Sequence, residues 1–180
     1  MSDEVFDVFD TNNRHIGKAS RSQVHSQGLI HRSVHVLLFN ADGNLLVQRR
    51  APNKDICPGL WDVSVAEHLR PQEAPLSGAL RGLSEELGIA GKQAPKLELW
   101  RPWRRQAFVR ADLGIIDNEF VQTYRGLFTG KVLMDADEVD AVDYWNETQI
   151  KAATQDAEAT ITPWLLNELN FLYEQKKTAQ

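Results

Sequence analysis

The sequence predicts an α/β fold in which a mixed β-sheet is held between helices. Three patterns predict it. Val34 to Phe39 and Leu45 to Gln48 are nearly continuous apolar runs, as expected of strands covered on both faces. Leu76, Leu80, Leu83 and Leu87 recur at steps of four, three and four, an apolar stripe on a helix that starts near Pro75. Apolar residues at 161, 164, 165, 169 and 172 mark a second amphipathic helix, Ile161 to Tyr173. The order β-β-β-α-β-β-α suits strands of mixed direction with helices on either side, in one domain over residues 1–180.

The elements follow in order. Val5 to Phe9 reads as a short strand, residues 11–13 as turn, and Ile16 to Ala19 as a second strand, giving an N-terminal β-hairpin over 4–19. Ser20 is placed to cap a brief helix through the early twenties. The two apolar strands meet at Ala41-Asp42-Gly43-Asn44, a hairpin signal because Asp-Gly tolerates positive φ. Ala51 to Asp62, with two prolines and a glycine, is a loop, and Leu60 to His68 leads into the stripe helix as a strand. Gly88 suits a left-handed cap at that helix's end. Leu97 to Trp103 reads as a strand, the residues from there to about Asn118 as a polar excursion, and Glu119 to Phe128 and Val142 to Trp145 as two more strands.

Composition narrows the function classes. With 42% hydrophobic and 25% charged residues in 180, the chain is near the globular average, which excludes a disordered or fibrous protein. The net charge of −5 comes with no dense basic run, so nothing supports nucleic-acid or anionic-membrane binding. No apolar run reaches the length of a membrane span, and the acidic start is unlike a signal peptide. The single cysteine, Cys57, excludes an internal disulfide and points to a reducing cytoplasm. Oligomeric state is left open.

The chemistry concentrates at Glu67 to Ile89. At about 100° per residue, Gly82, Glu85 and Glu86 share a flank beside the leucine stripe, and with Glu73 upstream they form a hard-oxygen cluster suited to Mg²⁺ or Mn²⁺. Gly78 and Gly82 each cost about 1 kcal/mol against alanine in a helix, which an ordinary amphipathic helix would not gain by; they leave that flank clear for a ligand. The stretch resembles the Nudix box, whose pattern is G, five residues, E, seven residues, then R-E-U-x-E-E-x-G-U. Glu73, Arg81, Leu83, Glu85, Glu86, Gly88 and Ile89 fall in register, whereas Glu67 stands for the opening glycine and Gly82 for the first glutamate of the R-E-U-x-E-E core. The resemblance implies a Nudix α/β/α sandwich, with the box at 67–89.

Outside the box, the segments from Gln23 to Arg50, Lys54 to Asp62, Ser64 to His68, Asp117 to Phe120 and Thr162 to Trp164 resemble the isopentenyl diphosphate isomerase-like branch of that superfamily. The resemblance implies a second divalent site at His25, His31, His68, Asp117 (where the isomerases carry glutamate) and Glu119, with imidazoles and carboxylates suited to Mn²⁺, Zn²⁺ or Fe²⁺. His35 has no matching ligand position. It also implies diphosphate contacts at Arg21, Arg50 and Lys54; strand alternation turns Arg49 and Arg50 apart, and only Arg50 is expected inward. Trp100 and Trp103 could stack on a base or ring, or pack at a sheet edge.

One departure separates the branch's activities. Isomerisation needs a cysteine beside the ligand histidine, in a pattern like S-V-C-G-H, and here Ser64-Val65-Ala66-Glu67-His68 carries Ala66, whose methyl moves no proton. The expectation is therefore a Nudix-type diphosphohydrolase acting on a small molecule. Glu85 and Glu86 hold Mg²⁺ or Mn²⁺ with help from Glu73, Arg81 fixes the glutamate rotamers, and Glu119 orients or deprotonates the attacking water. The alternatives are a degenerate Nudix module that binds without turnover, and an isopentenyl diphosphate isomerase-like enzyme. Glu67 either compensates for Gly82 or crowds the site.

Overall fold

The structure, a computed structural model, describes residues 4–178. β1 (Val5–Phe9) and β2 (His15–Ser20) pair as an antiparallel hairpin. Ser20 then caps α1 (Arg21–Gln27) through a capping box, its hydroxyl accepting from the Gln23 amide while the Gln23 side chain accepts from the Ser20 amide. β3 (His31–Phe39) and β4 (Leu45–Arg50) are joined by a turn in which the Asn40 side chain accepts from the Asp42 and Asn44 amides and Gly43 sits at φ +78°. β5 (Trp61–Asp62) and β6 (Val65–His68) lead into α2 (Pro75–Leu87), which Gly88 ends in the left-handed region. β7 (Glu98–Arg110), β8 (Ile115–Leu127), β9 (Val139–Trp145), α3 (Glu147–Gln155), α4 (Ala157–Thr160) and α5 (Pro163–Thr178) complete the chain.

β3 is the hub of the sheet. It pairs parallel with β8 along its length, antiparallel with β6 over Ser33–Val36, and with β4 at Phe39. β4 continues to β5 and β9. Alternation along β3 splits the core: Val34, Val36 and Leu38 pack with Leu83 and Leu87 of α2, whereas Leu37 packs with Trp164, Leu165 and Leu169 of α5. The predicted sandwich of a mixed sheet between helices is what forms.

Three expectations need correction. Leu76 and Leu80 are not core; they are 43% and 37% exposed, and α2 buries Gly78, Ala79, Gly82, Leu83, Glu86 and Leu87 instead. The glycines do not clear a flank for a ligand. A Cβ on Gly78 would lie 2.4 Å from Leu69 Cδ2, and one on Gly82 2.5 Å from Val65 Cγ1, so they let the helix backbone approach β6 and the loop after it. The polar excursion after Trp103 is absent. β7 runs on to Arg110 and turns through Gly114 (φ +64°) into β8; β7 is an edge strand, which tolerates polar side chains that hide its pattern. Gly82→Ala is expected to destabilise the fold by about 1–3 kcal/mol in urea unfolding, although helix propensity alone would favour alanine by about 1 kcal/mol.

One acidic residue lies on the buried face of α5. Glu168 is fully buried and accepts from His35 Nδ1 at 2.8 Å, Thr123 Oγ1 at 2.7 Å, Arg101 Nη1 at 3.0 Å and the Arg104 guanidinium. Burial by itself raises its pKa; the hydrogen bond and charge of His35, with Arg104 and Thr123, outweigh that and hold it at about 2. Because the folded value is depressed, this stabilisation is complete above the ordinary glutamate pKa and is lost as pH falls from about 4.5 towards 2, roughly 3 kcal/mol in all. Urea unfolding of Glu168→Gln is expected to show lower stability at neutral pH and a shallower decline over that acid range than the native chain.

Candidate active site

A cavity of about 1010 Å³ opens beside α2, β6 and the ends of β4 and β8. At its inner end the structure gathers the histidines. His25 comes from α1, His31 from the start of β3, His68 from the end of β6 and Asp117 from β8, and one ligand atom of each lies within 4.8 Å of the others. Glu119, the parallel register partner of His31, adds an oxygen 3.3 Å from His68 Nε2 and 3.6 Å from His31 Nε2. Phe6 of β1 stacks on the His31 ring at 5.3 Å, so the N-terminal hairpin seals the cluster from outside.

Two of the histidines are held neutral, the form of the ring that ligates a metal. Burial, reinforced by the charge of His68, lowers His25 to about 4 and His31 to about 3, so both rings are neutral near pH 7. His31 Nδ1 donates to the Leu29 carbonyl at 3.2 Å, which leaves Nε2 as the lone-pair atom, 3.4 Å from Asp117 Oδ1. His25 Nε2, His31 Nε2 and Asp117 Oδ1 are buried without a hydrogen-bond partner among the described residues. Burial and the charge of Glu119 raise Asp117. Burial also opposes ionisation of Glu119, but the hydrogen bond from His68 and the charges of His31 and His68 prevail and its pKa falls. For His68 the loss of water pulls down, yet Glu119 outweighs it and the net movement is upward. Acceptor atoms crowded round one point repel each other until a cation joins them; ligands at about 2.1 Å from an ion are roughly 3–4.2 Å apart, a range that holds the His31–Asp117, His31–Glu119 and His68–Glu119 distances although the cluster extends to 4.8 Å.

Three cationic side chains lie next to this cluster, each with an acidic partner; that of Arg21 is Glu4, at 3.5 Å. Arg21 Nη1 lies 3.3 Å from His68 Nδ1, Arg50 donates to Asp62 Oδ2 and the Ile56 carbonyl, both at 3.0 Å, and Lys54 pairs with Glu138. All three line the cavity. Arg49 turns away to Asp140, as alternation requires.

A NUDIX domain family model matches residues 29–165. The chain belongs to the Nudix family. A Serratia proteamaculans protein named isopentenyl-diphosphate Delta-isomerase is 35% identical over 167 residues, 91% of this chain and 88% of that one. A Burkholderia multivorans protein of the same name is 33% identical over 157 residues, 87% and 86% of the two chains. A Deinococcus radiodurans crystal structure covers 94% of this chain and 99% of its own with a TM-score of 0.73 at 20% identity, a likeness of fold.

The Nudix box residues take unequal places. Arg81 is the hub: it donates to Glu73 through Nε and Nη2, both at 2.9 Å, to Glu85 at 3.0 Å and to the His68 carbonyl at 2.8 Å, and it pairs with Glu67 at 3.0 Å. Glu73 is held by Arg81 and the Arg70 amide and is not brought to the cavity; it positions Arg81. Glu85 reaches the cavity rim, half exposed, shared between Arg70 and Arg81. Glu86 is buried and makes no ion pair among the described residues; Gln48 Nε2 donates to it at 2.5 Å. Burial, with the charges of Glu67, Asp62 and Glu138, raises its pKa well above the ordinary value despite that hydrogen bond.

Sequence reasoning missed Gln48, whose signal is a single amide in an apolar two-faced strand, and Trp164, which lines the cavity and stacks under Arg50 at 5.4 Å. Trp100 and Trp103 do not line it; Arg125 covers the first ring at 4.0 Å and Arg32 the second at 4.8 Å. Adding Mn²⁺ at a hundred times its dissociation constant to chelator-treated protein is expected to stabilise the fold by about 2.7 kcal/mol. Thermal unfolding of His31→Gln at the same concentration should show a smaller gain than the native chain.

Proposed function

We propose that this chain is a metal-dependent hydrolase cleaving a diphosphate linkage in a small molecule, for example a nucleoside diphosphate joined to another group. The observation that carries the reading is one cavity lined both by buried Glu86, which makes no ion pair among the described residues, and by Arg21, Arg50 and Lys54. A diphosphate calls for both. The guanidinium and ammonium groups take part of its charge directly, and the carboxylates take the rest through a shared cation. Mg²⁺ or Mn²⁺, when bound, neutralises the diphosphate oxygens and lowers the pKa of a water. Glu86 and Glu85 are the Nudix-helix residues that would hold it, with Arg81 fixing Glu85. Glu119, ionised and facing the cavity, aligns the attacking water; its low pKa suits an acceptor that orients an O–H more than a base that keeps the proton.

A second reading has its own support, since relatives up to 35% identical are named isopentenyl-diphosphate isomerases. Isomerisation of a prenyl diphosphate would use the same histidine cluster and the same three cationic side chains. Ala66 weighs against it. The methyl lines the cavity beside His68, where the isomerase pattern has its cysteine. Cys57 belongs to the core with Ile56 and Trp164 and does not line the cavity.

Product release from nucleoside diphosphate derivatives, nucleoside triphosphates and prenyl diphosphates, with Mg²⁺ and then Mn²⁺, tests the proposal. One class is expected to be hydrolysed by the native chain, with Glu86→Gln slower by about 10³-fold or more, a loss of several kcal/mol. Formation of the allylic isomer from isopentenyl diphosphate, with no phosphate released, would replace this reading by the isomerase one. Ligands that raise the melting temperature without any turnover would leave a binding module.

A further inference from the structure

Two positions of the Nudix box have exchanged residue types. The pattern has glycine at 67 and glutamate at 82; this chain has glutamate at 67 and glycine at 82. The structure couples the two changes. A Cβ built on Gly82 would lie 3.1 Å from Glu67 Cβ and 3.4 Å from Glu67 Cγ, so the positions face each other where β6 meets α2, and one side chain fills the space between them.

Glu67 lines the cavity with Glu86 and Gln48. Its Oε2 meets Arg81 Nη1 at 3.0 Å. Gln48 gives its Nε2 to Glu86, while its Oε1 is buried without a partner among the described residues. Glu86 itself is buried and makes no ion pair among the described residues. A carboxylate without an ion pair, a second carboxylate beside it and an orphaned amide oxygen make a hard-oxygen environment.

We infer that Glu67 takes over from the missing helix carboxylate, so that Glu67, Glu86 and the Gln48 amide oxygen hold a divalent cation distinct from the one at the histidine cluster. Strand alternation separates the two places. Val65 packs with α2 and Glu67 reaches Gly82 on the same side, whereas Ala66 packs with the α5 core and His68 meets Glu119. The inference rests on reading the cavity as a cation–diphosphate site, but an ion count does not depend on turnover.

The test is a Mn²⁺ titration of the intact, metal-stripped chain, with free ion read by its electron paramagnetic resonance signal. The native chain is expected to bind two ions and His31→Gln to lose one. Glu67→Gln, whose side-chain oxygen still accepts from Arg81, should lose the other or bind it at least about 10-fold more weakly. Glu67→Asp keeps the charge on a shorter arm and should fall between. Glu73→Gln, which removes an Arg81 partner away from the cavity, should keep both. A native count of one, or unchanged binding in Glu67→Gln, would overturn the inference. An equal loss in Glu73→Gln would also overturn it, by tracing the effect to Arg81. A native chain that binds two ions, loses one in Glu67→Gln and hydrolyses nothing would leave this inference standing and remove the hydrolase reading.

Discussion

Taking a carboxylate out of water costs several kcal/mol unless other groups replace the water, and the described residues include five buried ones: Asp62, Glu86, Asp117, Glu119 and Glu168. They divide by what surrounds them. Glu168 accepts from His35, Thr123 and two arginines. Asp62 accepts from Arg50, Thr162, Trp164 and the Val63 amide. Both are fully compensated by the chain and tie α5 to the sheet. Among the described residues Glu86 receives one hydrogen bond, from a neutral amide, and Asp117 Oδ1 receives none. A fold that assembles two arginines round Glu168 is able to neutralise a buried acid, whereas among the described residues Glu86 and Asp117 make no ion pair with an arginine or lysine.

The sheet sets where those places fall. β3 is paired with β8 along its whole length and with β6 over four residues, which brings His31, His68, Asp117 and Glu119 together from three strands without a loop among them. The sheet backbone therefore fixes their spacing, and α1 needs only to deliver His25. Ser20 and Gly28 cap that helix at its two ends, and Phe6 seats the hairpin against the rings. On the other side of β6, Gly78 and Gly82 bring α2 close enough for Glu86 to reach Gln48 of β4. Close packing and the placement of the acid are one event.

What was legible in the sequence is what a few neighbouring residues encode. Ser20 before a brief helix, Asp42-Gly43 between apolar runs and Gly88 after the last leucine all appear in the structure as read. What was not legible depends on a distant partner. Leu76 and Leu80 fit the helical period, but small residues on the neighbouring face allow the closer approach and win the core. Glu73 is in register with its motif, yet Arg81 holds it away from the cavity. Gln48 and Glu168 look like interruptions of apolar patterns until Glu86 and His35 are set beside them. Trp100 and Trp103 look like a stacking platform until Arg125 and Arg32 are found on their faces.

The sharpest contrast with the isomerase pattern spans two adjacent residues, Ala66 and Glu67 against cysteine and glycine. Successive strand residues point to opposite faces, so the two changes act in different places although they are neighbours. At 66 a group able to move a proton becomes a methyl on the face shared with the histidine cluster. At 67 a hydrogen atom becomes a carboxylate on the face shared with α2, and Gly82 supplies the room it needs. The first change removes a requirement for moving protons on carbon; the second adds a carboxylate to the lining of the cavity. Neither disturbs the sheet, because β6 still pairs with β3 through backbone groups alone. The two differences from the isomerase pattern thus fall on opposite faces of one strand whose backbone pairing with β3 is intact.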